Sequence, residues 1–170
     1  MIVPETAPVP DIFGHTIFCD DIRFEADGKF TFVGAYGGHM FVRTEFPATL
    51  PKFGIHVMFI QRAAVFDPMV SLRIFLPGDA EDAPSIEAEV QNPIPTTPTE
   101  PVGENVAMGT NMIFAPLQIK EPGLIKVRML RQGILHRLGS LNVRPFPTVT
   151  VTPSASEQPS GQFQRGAPET

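Results

Sequence analysis

The sequence predicts an all-β fold, a two-sheet antiparallel sandwich of the immunoglobulin-like or a related Greek-key type. Three observations support this prediction. No stretch longer than about ten residues keeps the 3.6-residue apolar spacing of a globular helix. The 170-residue chain contains 19 Pro and 14 Gly, which divide it into short segments. Several of these segments show the apolar alternation of strands and follow one another closely, as in sandwiches and barrels.

The clearest predicted hairpin joins residues 15–24 to residues 29–36 across Asp27-Gly28, a dipeptide that suits the positive φ angles of a type I′ turn. Alternation places Phe30, Phe32 and Tyr36 on one face of its second strand. Gly37-Gly38 repeats the turn signal. It predicts a second hairpin that returns the chain through residues 39–42.

Residues 53–60 are apolar on both faces, which predicts a central strand covered on both sides. Strands with one solvated face are expected at residues 70–76 and 85–90, and strand character resumes over residues 105–119. A last hairpin pairs residues 124–130 with residues 135–143 across Gln132-Gly133.

The chain is expected to contain one domain, residues 15–144, preceded by an extended arm, residues 1–14. Residues 91–104 contain four prolines and predict a loop of polyproline II character. Residues 145–170 are rich in Pro, Ser and Thr, which predicts a disordered C-terminal tail.

The single cysteine and the composition of the N-terminal arm bear on the cellular compartment in which the protein is made. Cys19 is the single cysteine, so no intrachain disulfide or paired-thiolate zinc site can form. The arm contains Glu5 and Asp11 but no basic residue, unlike a signal peptide, and no apolar run approaches the roughly 20 residues of a membrane helix. We therefore expect a protein that is cytoplasmic at synthesis and does not contact membranes.

The opening strand carries a distinctive motif, Ile17-Phe18-Cys19-Asp20-Asp21-Ile22-Arg23. It is followed by Gly28-Lys29 and by the segment Phe32 to Gly38. This pattern resembles an uncharacterised family of small bacterial proteins with a Phe-Cys-Asp-Asp-Ile-Arg opening, and the similarity extends to about Arg144. The resemblance implies a small sandwich without a known activity, and it transfers no catalytic residues.

Charge is segregated along the chain, whose net charge is −5. Residues 74–119 contain acidic residues but no Lys or Arg, whereas residues 122–156 contain no Asp or Glu. The second segment predicts a possible interaction surface made of Lys126, Arg128, Arg131, Arg137 and Arg144. Nucleic-acid binding is not favoured, because the interleaved aromatic residues of a single-strand platform are missing. The two segments can pair between neighbouring copies, or they can lie on adjacent strands of one sandwich.

The tail contains one β-competent stretch, residues 148–152, in which Val149 and Val151 alternate with threonines. It can add as a strand to the sheet edge of a neighbouring molecule. The alternative is an extended linker.

The sequence contains candidate ligands for two kinds of metal site. Asp20 and Asp21 are adjacent in a strand, so their carboxylates point to opposite faces and do not converge on one calcium ion. Loop aspartates are better placed for a C2-like calcium site, but solvated turn residues are the favoured interpretation: Asp27, Asp67, Asp79 and Asp82. The histidines match no common zinc spacing: His15, His39, His56 and His136.

Cys19 is the one candidate nucleophile. His15 lies on the order of 13 Å away along an extended strand, too far to act as its base. A base would have to come from His39, His56 or His136. A buried structural cysteine is the favoured interpretation.

No serine-hydrolase, phosphate-loop, dinucleotide-binding or zinc-protease motif is present. The sequence therefore favours a non-enzymatic interaction or structural module without a cofactor, which binds a protein partner or associates with itself. A first alternative is a structural component of a phage virion or another large assembly. A second is a C2-like calcium or lipid binder, and a third is an enzyme with an unrecognised site.

Overall fold

The structure is a computed structural model that describes residues 12–91 and 105–147. Over these ranges the chain forms strands and two three-residue 3-10 turns, Ala26–Gly28 and Ala63–Val65. The strands are β1 (Ile12–Cys19), β2 (Asp21–Phe24), β3 (Phe30–Val33), β4 (His39–Val42), β5 (Ala48–Leu50), β6 (Phe53–Arg62), β7 (Met69–Phe75), β8 (Ile86–Gln91), β9 (Asn105–Phe114), β10 (Leu117–Ile119), β11 (Gly123–Arg131) and β12 (Ile134–Pro145).

The prediction of an all-β fold built from packed antiparallel sheets is confirmed. The immunoglobulin-like or Greek-key assignment stays a prediction. β1 begins at Ile12, earlier than the expected domain start at His15. The preceding part of the arm, the proline-rich loop from residue 92 to 104, and the tail from residue 148 lie outside the described residues.

One layer is a three-stranded antiparallel sheet, β1-β6-β9, with β6 in the centre. β6 is buried over most of its length because both of its faces are apolar. Ile55, Val57 and Phe59 point into the core, and burial of each such side chain contributes about 1.5–3 kcal/mol. The predicted central strand at residues 53–60 is confirmed.

The second layer is a five-stranded sheet with the order β4-β12-β11-β7-β8. Its inner face contributes Leu72, Ile125, Val127 and Leu141 to the core. The predicted C-terminal hairpin is present as β11 and β12, and Gln132 (φ 49°) and Gly133 (φ 77°) form its turn. A register shift between Val127 and Arg128 places Leu138 and Gly139 together on the inner side.

The two layers approach closely where β12 crosses β1. The Thr16 hydroxyl donates a hydrogen bond to the Leu138 carbonyl at 3.2 Å. A Cβ atom added at Gly139 would lie 2.7 Å from Thr16 Cβ, closer than real side chains come. Glycine at this position therefore permits the contact between the sheets.

A small hairpin, β2–β3, folds over the outer face of the three-stranded sheet. Its ring contacts fix its position, since Phe32 lies 5.0 Å from His56 between ring centroids. The predicted turn is confirmed, with Asp27 at φ 61° and Gly28 at φ 71°. Residues 15–24 do not form one strand as expected, however, because the chain turns at Asp20 and passes from β1 to β2.

The predicted return hairpin after Gly37-Gly38 is wrong. Residues 39–42 form β4, which pairs in parallel with β12 in the other layer. Gly38 supplies the turn, with φ at 98°, but Met40 and Val42 are apolar and reach the common core only beside β12. The glycine pair thus signals a turn and not the identity of the next strand.

Candidate functional site

The predicted basic surface is only partly a surface. Arg137 and Arg144 are exposed, and Lys126 and Arg128 are half-buried on the outer side of β11. Arg131 has the opposite orientation and is 8% exposed, because it continues the inward-facing series Ile125, Val127 and Met129. Arg131 is therefore not part of an exposed basic strand face. Val149 and Val151 lie beyond the described residues.

Acidic and basic segments meet within one copy of the chain. Lys126 Nζ, from the basic segment, lies 2.9 Å from Glu81 Oε1, from the acidic segment. The hydrogen bond and charge of Lys126 lower the pKa of Glu81. The sequence left two arrangements open, pairing between neighbouring copies and contact within one sandwich. Contact within one sandwich accounts for Lys126 and Glu81.

Two arginines remain next to each other on the β11–β12 hairpin. Arg128 is the direct cross-strand partner of Arg137. Burial, and then the charge of Arg137, lower the pKa of Arg128. The Arg128 guanidinium donates from Nη1 to the carbonyl oxygens of Val127 and Gly139, at 2.9 and 3.2 Å, so its position is fixed by the backbone.

Three of the aspartates considered for a calcium site, Asp20, Asp21 and Asp79, have intramolecular partners. Asp20 accepts a hydrogen bond from Tyr36, and Asp21 pairs with Lys52 at 2.5 Å. Asp79 accepts hydrogen bonds from the backbone N–H groups of Leu76 and Ser85, both at 2.8 Å. Across residues 12–91 and 105–147, His, Cys, Asp and Glu form no cluster of three that could hold a metal ion.

Cys19 is fully buried, and its Sγ lies 3.7 Å from the Gly54 carbonyl oxygen. Burial, and then the negative charges of Asp20 and Asp21, raise the pKa of its thiol. Because the thiolate is the nucleophilic form, this environment favours the structural interpretation of Cys19.

The outer face of the three-stranded sheet is an uncharged strip. The residues that share this face by register are Phe13, His15, Ile17 and Cys19 on β1, Gly54, His56, Met58 and Ile60 on β6, and Ala107, Gly109, Asn111 and Ile113 on β9. Phe13 and Ile113 are exposed, and the β2–β3 hairpin adds the exposed Phe24 and Phe30. Cys19, Gly54 and His56 on this face are buried, so its exposed apolar surface is confined to the other positions.

At the edge of this strip, β9 is open on one side. It pairs with β6 on the other side, and no strand of the described residues pairs with its free edge. All ten of its residues are uncharged, and proline is absent from it. Edge strands in natural proteins usually carry charge, proline or a bulge that prevents pairing with another chain.

A cleft of about 730 Å³ opens at the end of the sandwich where the β11–β12 turn lies. Ile12 and residues 64–66 form one side of it, and the hairpin forms the other with Arg131, Gln132, Ile134 and His136. Buried Gln61 holds residues 64–66 in place, because its side-chain amide bonds the backbone N–H and carbonyl of Asp67, at 3.3 and 3.2 Å. The cleft wall is therefore a fixed loop.

The polar groups of the cleft centre on Arg131. Its Nη2 donates to the Val65 carbonyl, and its Nε lies 3.9 Å from Asp67 Oδ2, too far for a hydrogen bond. Nε is buried and has no hydrogen-bond partner among the described residues. Burial, and then the charge of Arg131, lower the pKa of His136.

Sequence reasoning missed both the β9 edge and the cleft. One part of the cleft could have been predicted from the sequence. Arg131 lies an even number of residues from Ile125 and Val127 on β11, so alternation predicts that its side chain points inward. The other parts of the cleft come from residues 12, 64–66 and 132–136, which only folding brings together.

No family model matches the chain, and comparisons with curated proteins and with solved structures gave no match. The family resemblance over residues 17–144 therefore stays a prediction. Over the part of the chain that the structure describes, no helix is long and apolar enough to cross a membrane.

Proposed function

We propose that this protein is a non-enzymatic interaction module that associates with a second copy of itself through antiparallel pairing of the β9 edges. The observation that carries the proposal is the ten-residue uncharged edge of β9. The backbone N–H and C=O groups along its outer edge pair with no strand of the described residues, so they provide the same template for pairing that peptide-binding sheets use.

Charge favours the β9 edge as the contact between two copies. Each molecule carries a net charge of −5, so two copies repel each other overall. The β9 edges can approach without placing like charges opposite each other. By contrast, β8, the edge of the five-stranded sheet, carries Glu87 and Glu89.

An antiparallel β9–β9 contact is also self-complementary. The same residues of each copy meet across a two-fold axis, so the contact closes as a dimer. It joins the two three-stranded sheets into one continuous sheet, and it brings the exposed apolar side chain of Ile113 next to the partner strand. Cross-strand apolar pairs of this type each contribute about 0.2–1 kcal/mol.

Charge placed on the edge tests the proposal. We expect the full chain to form a dimer whose dissociation constant rises about tenfold or more in Ile113→Lys, because each lysine places a charge next to the partner strand in an otherwise uncharged edge. The matched control is Leu124→Lys, which adds the same charge at an exposed position on β11, a strand paired on both sides. Sedimentation or light scattering over a concentration series measures both.

A chain that stays monomeric at all accessible concentrations would refute the pairing. So would equal dissociation constants for Ile113→Lys and Leu124→Lys. If Ile113→Lys weakens the binding of a different protein and not of a second copy, the module has a heterologous partner and the self-association proposal fails.

A larger assembly is the second candidate function, and one observation favours it. At the far edge of the five-stranded sheet, exposed Phe41 lies against exposed Phe146, with Arg43 stacked 4.3 Å from the Phe146 ring. This patch supplies a second apolar contact, which building beyond a dimer requires. Species heavier than a dimer that disappear in Phe41→Ser and persist in Ile113→Lys would support it.

A further inference from the structure

We infer that the cleft at the β11–β12 turn is a binding site for a small organic carboxylate with an apolar body. The cleft lies at the end of the sandwich, and ligand binding there does not depend on the pairing of β9. Three features of the cleft support this inference: a buried arginine with an unpartnered donor, an imidazole that lines the same cleft, and apolar walls.

The first feature is the hydrogen-bonding state of Arg131. A guanidinium has several N–H donors in a fixed planar fork. Among the described residues its side chain has one hydrogen bond, from Nη2 to the Val65 carbonyl, while its buried Nε has none. The nearest carboxylate oxygen, on Asp67, is 3.9 Å from Nε. Since buried donors are normally satisfied, this guanidinium is short of acceptors, and Arg131 lines the cleft that an anion would enter.

The second feature is the electrostatic balance of the cleft. Asp67 offsets part of the Arg131 charge. Burial, and then the charge of Arg131, lower the pKa of His136, which lines the same cleft. A neutral imidazole has one donor and one acceptor nitrogen. His136 can therefore donate a second hydrogen bond to an anion held by Arg131.

The third feature is the apolar lining. Ile12, Val65, Phe66 and Ile134 surround the polar groups, and Ile134 is 61% exposed although it is a large aliphatic residue. A bound apolar group would remove this surface from water. The cleft volume of about 730 Å³ lies within the range that small-molecule sites occupy. A carboxylate joined to an aromatic ring or a short alkyl chain combines both requirements.

Benzoate and its uncharged counterpart benzamide are suitable probes for the full chain, with binding followed by amide NMR shifts. We expect benzoate to shift the amides of residues 64–66 and 131–136 and to bind at least about tenfold more tightly than benzamide, since one charged contact separates the two probes. Arg131→Lys should weaken benzoate about tenfold, because lysine lacks the planar fork. Exposed Arg137→Lys on the same hairpin is the control and should bind normally.

Because Arg131 is buried, its replacement can disturb folding, and a second pair of variants avoids this. Ile134→Glu and Ile134→Lys change the charge at the exposed cleft mouth and leave Arg131 intact. Benzoate binding should weaken in the first and strengthen in the second. Equal binding of benzoate and benzamide, shifts outside the cleft, absence of benzoate binding, or indifference to the charge at residue 134 would each overturn the inference.

Discussion

Tyr36 donates a hydrogen bond from its hydroxyl to Asp20 Oδ1, and this bond closes the corner at which the chain leaves β1 for the β2–β3 hairpin. Two backbone bonds accompany it, from Asp20 N–H to the Val33 carbonyl at 2.9 Å and from Tyr36 N–H to the Phe18 carbonyl at 2.8 Å. Gly34 faces the same carboxylate with φ at 65°, and a Cβ there would overlap Asp20. Gly34 and Tyr36, which come later in the chain, thus fit the corner that Asp20 of the Phe-Cys-Asp-Asp motif forms.

The first prediction concerns the ionisation of Tyr36. Burial, and then the hydrogen bond and charge of Asp20, raise its pKa well above the ordinary value. A raised folded-state pKa contributes stability that is fully present below the unfolded pKa of about 10 and is lost as the pH rises through the folded value. Asp20→Asn should lower this pKa. Alkaline difference absorbance measures it cleanly, because the chain has one Tyr and no Trp.

A control for that titration is Asp82→Asn, which removes an exposed charge in the β7–β8 loop and should leave the tyrosine unchanged. An ordinary tyrosine titration in the folded parent would contradict the corner geometry.

The second prediction concerns the contact between the sheets. Gly139→Ala introduces a Cβ 2.7 Å from Thr16 Cβ, so β1 and β12 must separate. Overpacking of this kind typically costs about 1–3 kcal/mol. Chemical denaturation should therefore show a loss of that size in the free energy of unfolding. Gly133→Ala is the control. No atom lies near its added Cβ, but the φ of 77° is unfavourable for alanine, so this variant reports the cost of backbone strain without overpacking.

If Gly139→Ala is as stable as the parent, the close approach of the two layers is wrong. A smaller cost of Gly139→Ala in a Thr16→Gly background than in the parent would locate the clash at Cβ and Oγ1 of Thr16.

The third prediction concerns the pH dependence of the β7–β8 loop. Burial alone raises the pKa of Asp79, but the hydrogen bonds from the Ser85 side chain and from the Leu76 and Ser85 backbone outweigh it and lower the pKa. A lowered folded-state pKa contributes stability that is present above the unfolded pKa and is lost as the pH falls through the folded value. Asp79→Asn should therefore cost about 1–3 kcal/mol at neutral pH and almost nothing in acid.

Urea denaturation of the parent and Asp79→Asn across acidic and neutral pH measures this difference. A loss of stability that is the same at every pH would contradict this prediction. It would show that Asp79→Asn removes packing contacts and not charge-assisted hydrogen bonds.

Local patterns predicted much of the fold. Apolar residues on both faces identified β6 as central, and Gln132-Gly133 identified the β11–β12 hairpin. Non-local pairing was not predictable in the same way. Nothing around residue 40 indicates that β4 joins β12 in parallel, more than a hundred residues away along the chain, because glycine turns specify a change of direction only.

The candidate sites show the same division. Grouping basic residues by their position in the sequence combined half-buried Lys126 and Arg128 with buried Arg131, although strand parity places them on opposite faces of β11. The edge position of β9 follows from its pairing with β6 alone, and that depends on long-range register. Sequence patterns therefore predict which residues face the core better than they predict which strand lies at an edge.

Amide hydrogen exchange along β9 tests the central claim most directly. In Asn105–Phe114 the amides that bond β6 are protected in every copy, whereas those on the free edge are protected only when a partner strand is present. We expect the β9 amides that do not bond β6 to become protected as the protein concentration rises. The amides of the β8 edge, Ile86–Gln91, should not change. Free-edge β9 amides that exchange at one rate at every concentration would contradict it.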